Sequence, residues 1–259
     1  MFYLDYQFNI NKLSYNTMKK LKFLFVVSFL ILTSGVHAQQ LTVHYLVKFD
    51  VSSPNFMVDA SMPAEFRSMY ATAVKDFEMN FILKYNEGES CFRFVPTDKK
   101  QTITLMGQTL DMNMMTNQYK DQVSSRNHEK NLSVEKVNFM GKKILIKDAL
   151  DSDTFDVVNG ETKEILGYEC KKAVSTDKKK MVWFTEYIPV PDGPVVGVNI
   201  TGLVLQASDG NNIYTATKID QEVSGSIEEP TEGQVMTRKE FKDYVRKTSE
   251  MLRMGQGIS

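Results

Sequence analysis

The chain has 259 residues, 42% hydrophobic and 24% charged, with a formal net charge of −1. That composition excludes a chain disordered throughout or built to live in a membrane. Nucleic acid is excluded as a partner: neutralising phosphates takes a concentrated basic face, and here Lys and Arg are interspersed with Asp and Glu.

In chain order the first element is an export signal. From Met18 the chain reads MKKLKFLFVVSFLILTSGVHAQQ: Lys19, Lys20 and Lys22, an apolar run from Phe23 to Leu32, then small residues ending at Ala38. The expected start is Met18, with cleavage after Ala38, so that the signal is residues 1–38. The apolar run is about half of the roughly 20 residues that span a bilayer, so no transmembrane anchor is expected after cleavage. A lipoprotein needs a Cys where this chain has Gln39, and the cysteines are Cys91 and Cys170. Lipid anchoring is excluded, and the destination is the periplasm or the cell exterior.

Residues 41–51 alternate apolar and polar, as a half-buried strand does. Residues 63–77 open with Pro63 and space Phe66, Met69, Tyr70, Ala73, Val74 and Phe77 as one helical face. MNFILKYN, the turn EGES and CFRFVP predict a hairpin. From Thr97 to Asn131 the chain is polar and Met-rich, without a clear period. Strands are expected at 132–139 and 142–147 around Gly141, then at 154–158, 168–174 and 181–187, the last two flanking the polar STDKKK. Strands 202–209 and 212–222 pair across Asp209-Gly210-Asn211. At 237–253 the period becomes helical: Thr237 and Glu240 fit a capping box, Phe241, Tyr244, Val245, Met251 and Leu252 form an apolar stripe, and Gly255 is placed to close the helix. The reading is one mainly β domain over 39–259, an antiparallel sheet with two packed helices. Cys91 and Cys170 each fall in an expected strand; in an oxidising compartment they form one disulfide or stay two separate buried thiols.

Residues 161–209 carry Gly167-Tyr168, Cys170 and Lys172-Ala173, then Trp183-Phe184-Thr185 with Ile188-Pro189, then Gly193-Pro194, and finally Gly202-Leu203. In order and spacing this resembles the GLPGLI family, exported proteins of Bacteroidetes, mostly of unknown function. One departure is plain. The name motif is replaced by Asn199-Ile200-Thr201-Gly202-Leu203-Val204, which keeps Gly202 and Leu203 and loses the first Gly and the Pro. That turn must therefore be built differently here. The family is in turn similar to the bowl-shaped leading module of some secreted glycan-releasing enzymes. This resemblance implies a curved open sheet or partial barrel and a non-catalytic accessory role.

Chemistry-bearing patterns are few. The chain has no G-x-S-x-G, phosphate-binding or dinucleotide fingerprint. His44 and His128 do not assemble a zinc site by spacing. Asp148, Asp151, Asp153 and Asp156 would suit calcium, but they lack the glycine and closing Glu of an EF-hand and read equally as an acidic turn. Met106, Met112, Met114 and Met115 offer soft ligands for Cu(I), an adaptable apolar groove, or plain filling. Trp183, with Phe184, Tyr187 and Pro189 beside it, either stacks on a sugar or partner chain or packs inside. Glu186 and Asp192 are a conceivable carboxylate pair for glycosidic hydrolysis. No metal or cofactor is expected. The leading expectation is a non-enzymatic binding or accessory protein of the cell envelope, with an envelope protein, a glycan or a small apolar molecule as partner. Its candidate contacts are Trp183, Phe184, Tyr187, Met112, Met114 and Met115. The alternatives are a carrier with a pocket lined by Met57, Met69, Met106 or Met114, and a hydrolase of glycans or peptides.

Overall fold

Alternating burial along β1 (Gln40–Phe49) places Leu41, Val43, Tyr45 and Val47 in the core while His44, Leu46 and Lys48 are less buried; Thr42 is buried as well. The same period-two logic builds β2 (Met79–Asn86) and β3 (Glu89–Val95), where Phe81, Leu83, Phe92 and Phe94 join that core. The computed structural model describes residues 40–53, 56, 63–150, 153–195, 200–222 and 226–256. The expected export signal at 1–38, Met57, Asp151 and Asn199 lie outside the described residues. The described residues belong to one compact unit, Gln40–Ser259.

The remaining main-sheet strands are β6 (Val123–Asn127), β7 (Leu132–Phe139), β8 (Lys142–Asp148), β9 (Phe155–Ile165), β10 (Tyr168–Ser175), β11 (Met181–Thr185), β12 (Leu203–Ser208), β13 (Asn212–Asp220) and β14 (Gln234–Met236). Together with β1 to β3 they form a twelve-stranded sheet in the order β14-β8-β7-β6-β3-β2-β1-β13-β12-β11-β10-β9. Every pairing is antiparallel except β14 on β8, which is parallel and lay outside the antiparallel expectation. A separate hairpin joins β4 (Thr102–Leu105) to β5 (Gln108–Asp111). It leads into a 3₁₀ turn, Met112–Tyr119, so the polar middle of the chain is ordered rather than featureless. Hairpin turns at Glu87-Gly88, Met106-Gly107, Met140-Gly141 and Leu166-Gly167 have positive φ at both residues. That is the two-residue geometry whose twist matches the strands it joins, and a glycine in second place adopts it without strain.

The order of strands dictates curvature. β8 and β9 are ten strand steps apart in the sheet, which laid flat is about 48 Å. Residues 149–154 join them, and a connection of that length reaches about 25 Å at most. The sheet must therefore curl until its two ends approach, while its ladder stays open between β9 and β14. It is the curved, mainly β open sheet expected, with a helix towards each end.

Both helices differ in detail from the periodicity. The first, α1, is Ala64–Val74, shorter than 63–77, and Val74 is its one buried residue. Met69 is surface-exposed, while Phe77, past the helix, is buried beside Phe49. The C-terminal helix, α2 (Arg238–Gln256), starts with the expected reciprocal cap: Thr237 N–H donates to Glu240 Oε2 at 2.7 Å and Glu240 N–H to Thr237 Oγ1 at 3.2 Å. Phe241 and Tyr244 pack edge-on against Phe139. Past that contact Met251 and Leu252 of the stripe are exposed, and Gly255 is inside the helix rather than closing it. β9 runs to Ile165, well beyond 158, because its second half pairs with Tyr168–Lys171 of β10. Among the described residues no helix is long and apolar enough to cross a membrane.

Candidate functional site

Between β11 and β12, residues 186–195 and 200–202 lie as a strap against the curled sheet. Val204 N–H donates to the Asp192 carbonyl at 3.0 Å and Leu203 N–H to that of Ile188 at 3.0 Å. Asp192 itself is fully buried. Its Oδ1 accepts from Arg126 Nη1 of β6, and its Oδ2 lies 3.3 Å from His128 Nε2. Arg126 Nη1 also donates to the Gly193 carbonyl at 3.0 Å. Burial pushes the Asp192 carboxyl up, but the Arg126 charge and hydrogen bonds from His128 and Ser90 outweigh it and hold it below the usual carboxylate range. On the far side, Tyr45 donates to the Val204 carbonyl at 2.6 Å, its phenol pushed up by burial and then by the Asp192 charge.

This network is a fastening. Glu186, the other half of the conceivable carboxylate pair, is exposed and paired with Lys171 at 2.6 Å. The two carboxylates therefore serve different partners.

The signature residues are mostly structural as well. A Cβ on Gly202 would sit 2.1 Å from the Thr185 carbonyl oxygen, and one on Gly193 would sit 2.6 Å from Val204 Cβ. Cys170, Ala173, Thr185 and Leu203 are fully buried. Pro194 is buried, Tyr168 and Ile188 pack against the core, and Pro189 is exposed. Gly167 is a turn residue.

Trp183 is half-buried, and its face is taken. Lys163 Nζ stands 4.2 Å from the ring centroid and Lys172 Nζ 5.9 Å from it. Lys163 also donates to Gln206, Gln206 to Thr215 Oγ1, and Lys172 to Glu161. Lys172, Trp183, Gln206 and Thr215 are successive register partners across β10 to β13. Phe184 instead enters the core, and Tyr187 is 73% exposed. The three aromatic residues thus share no surface.

The methionines also part company. Met112 is core, Met106 and Met114 are exposed, and the Met115 side chain and Met57 lie outside the described residues. The acidic run disperses too: Asp148 accepts from Arg238 N–H, Asp153 pairs with Lys180, and Asp156 is exposed. His44 pairs with Asp220 at 3.0 Å. Among the described residues no group of three or more His, Cys, Asp or Glu is placed to hold a metal ion. Cys91 on β3 and Cys170 on β10 are both free and buried, so the disulfide is not formed in this structure. Burial pushes the Cys170 thiol up to about 11.

A cleft of about 510 Å³ was not anticipated. Its floor is the sheet face carrying Lys84 of β2, Cys91 and Arg93 of β3, Val123 of β6 and Lys136 of β7. Arg93, Val123 and Lys136 are successive register partners, with Lys84 and Cys91 paired alongside. Alternation puts these side chains on the face opposite Phe92 and Phe94. The wall is the segment 226–232 leading into β14, contributing Ser226, Glu228, Glu229, Pro230, Thr231 and Glu232. Glu229 reaches Lys147 at 3.2 Å, and Glu232 reaches Lys143 at 2.6 Å and Lys136 at 3.7 Å. Glu228 accepts from Ser226 Oγ at 2.8 Å. The sequence trace of this site is the acidic run EEPTE just before β14, with cations on alternate positions of distant strands.

These features define a large, open, curled β-sheet domain with a charged cleft on one face. Residues 84–244 match the family described as "N-glycanase peptide, N-terminal domain", a span of well over half the chain, and the chain belongs to that family. Two solved structures, of PNGF-II in P21 and C2 space groups, share the fold at a TM-score of 0.51 and 18% identity. They match over 80% and 81% of this chain but 33% of theirs, so the chain spans about a third of their length. No curated protein matches it.

Proposed function

We propose that this chain is an exported, non-enzymatic binding domain of the cell envelope that engages glycan-bearing material. The observation that carries this reading is the family match. Its span, 84–244, takes in every residue of the cleft floor and wall, and its description ties the domain to an N-glycanase. The domain's place in that description is at the front of a longer protein, which favours an accessory role over a catalytic one. The commitment of Asp192 to a buried pair with Arg126, and of Glu186 to Lys171, supports the same side. The export signal ending at Ala38 and the GLPGLI-like run at 161–209 are parts of this reading, and both are consistent with an envelope location.

The test compares a glycoprotein with its deglycosylated form, immobilised side by side, with the chain in solution. Retention by the glycosylated form alone is expected. Equal retention by both, or by neither, removes the glycan from the function. Release of free glycan from the same glycoprotein would instead make the chain an enzyme. Amino-terminal sequencing of the exported protein checks the signal, with Gln39 expected first.

A further inference from the structure

We infer that the cleft between the sheet and residues 226–232 is a saccharide-binding site for a neutral, polyhydroxylated segment, with Arg93 and Glu228 as its two ligand-facing groups. The inference rests on the glycan reading above and assigns it a place and a chemistry. The lining carries Lys84, Arg93 and Lys136 against Glu228, Glu229 and Glu232, so its charges cancel. Most are already committed. Glu229 and Glu232 tie the wall to Lys147, Lys143 and Lys136, and Lys84 is largely buried. Arg93 is exposed and, among the described residues, forms no ion pair, while Glu228 has the Ser226 hydroxyl as its one hydrogen-bond partner there. Burial pushes the Cys91 thiol in the cleft floor up, and both charges reach it as well, Arg93 acting to lower it and Glu228 to raise it.

An exposed guanidinium and an exposed carboxylate lining one hollow supply a fork of donors and a pair of acceptors. Adjacent sugar hydroxyls are each donor and acceptor at once, so a vicinal pair satisfies both groups without bringing charge. An acidic ligand would meet Glu228, Glu229 and Glu232, and a cationic one Lys84, Arg93 and Lys136. A peptide wants apolar pockets for anchoring side chains, and the apolar lining here is little more than Val123, Cys91 and Pro230. The volume of about 510 Å³ is within the usual range for small-ligand sites.

Isothermal titration of the full chain with maltotriose, mannotriose and chitotriose, and with a galacturonic acid trisaccharide as the charged comparison, tests this directly. At least one neutral trisaccharide should bind, and better than the acidic one. Arg93→Ala and Glu228→Gln should each weaken it by about tenfold, the scale of one lost charge-assisted hydrogen bond. Lys171→Ala, outside the cleft, should bind as the parent does. Arg93 and Glu228 are exposed, so unchanged thermal melting accompanies the loss. If the parent retains the glycoprotein but both cleft variants bind saccharide undiminished, the site is wrong and the proposed function stands. Preference for the acidic trisaccharide overturns the ligand class. If the parent binds neither glycoprotein nor any trisaccharide, both readings fall together.

Discussion

Asp192 gives up all its water on folding, and Arg126 with His128 and Ser90 is what it receives in exchange. Removing one partner of a buried ion pair strands the other charge, so Arg126→Met should cost about 3–5 kcal/mol in a urea denaturation experiment. Arg126→Met combined with Asp192→Asn should recover part of that loss, because the stranded charge goes as well. The same pair sets a pH dependence. The folded carboxyl is held below its unfolded value of about 3.9. Its stabilisation is therefore complete above about pH 4 and is lost as the pH falls through the folded value. Urea midpoints for the parent should drop across that acidic window, and those for Asp192→Asn should drop less. The thiols make a second residue-scale prediction. With Cys170 raised to about 11 by burial and Cys91 also raised, the native protein should resist alkylation at pH 8. The unfolded protein should take two labels; a mass two protons lighter, with no labelling, would mean the cysteines are bonded.

At the scale of elements, the strap between β11 and β12 depends on close backbone contact. A methyl group at Gly202 would meet the Thr185 carbonyl, so Gly202→Ala forces the strap off β11. The expected cost is about 1–3 kcal/mol, the range for overpacked sites, read as a lower thermal midpoint. Gly202 is thus the point at which the chain entering β12 passes close to β11. For α2, Thr237→Ala removes the hydroxyl that caps Glu240 N–H, at a cost of about 1 kcal/mol. Because the helix packs through Phe241 and Tyr244 in its first half, circular dichroism should show fraying there while the sheet signal is unchanged.

For the whole molecule, the sheet order predicts a gradient of protection. β1 lies between β2 and β13 and carries core residues along its length, whereas β9 and the three-residue β14 are edges. Hydrogen exchange should be slowest in β1, β2 and β13 and fastest in β14 and the outer side of β9. Uniform protection from edge to centre would contradict this picture of an open sheet. The wall of the cleft is an edge feature too, since it is tied through β14 and ion pairs to β8 and β7. The proposed ligand site is thereby built on one of the molecule's more yielding parts.

Much was legible along the chain because strands and hairpins are local. Alternation marked β1 to β3, turn residues marked EGES, Gly141 and Asp209-Gly210-Asn211, and T-x-x-E marked the start of α2. The expected export signal and the GLPGLI-like resemblance at 161–209 were likewise read from contiguous residues. What tertiary structure decided was partnership. The parallel seat of β14, the curl imposed by the short link from β8 to β9, and the burial of Asp192 on Arg126 all join residues far apart in the chain. The candidate site divides the same way. Trp183, Tyr187 and the methionines looked alike as exposed or adaptable apolar groups, yet Lys163 covers the first and the others disperse. Arg93 and Glu228 carried no local pattern, because a cleft is defined by which strand neighbours which, and that is written only in the pairing of the sheet.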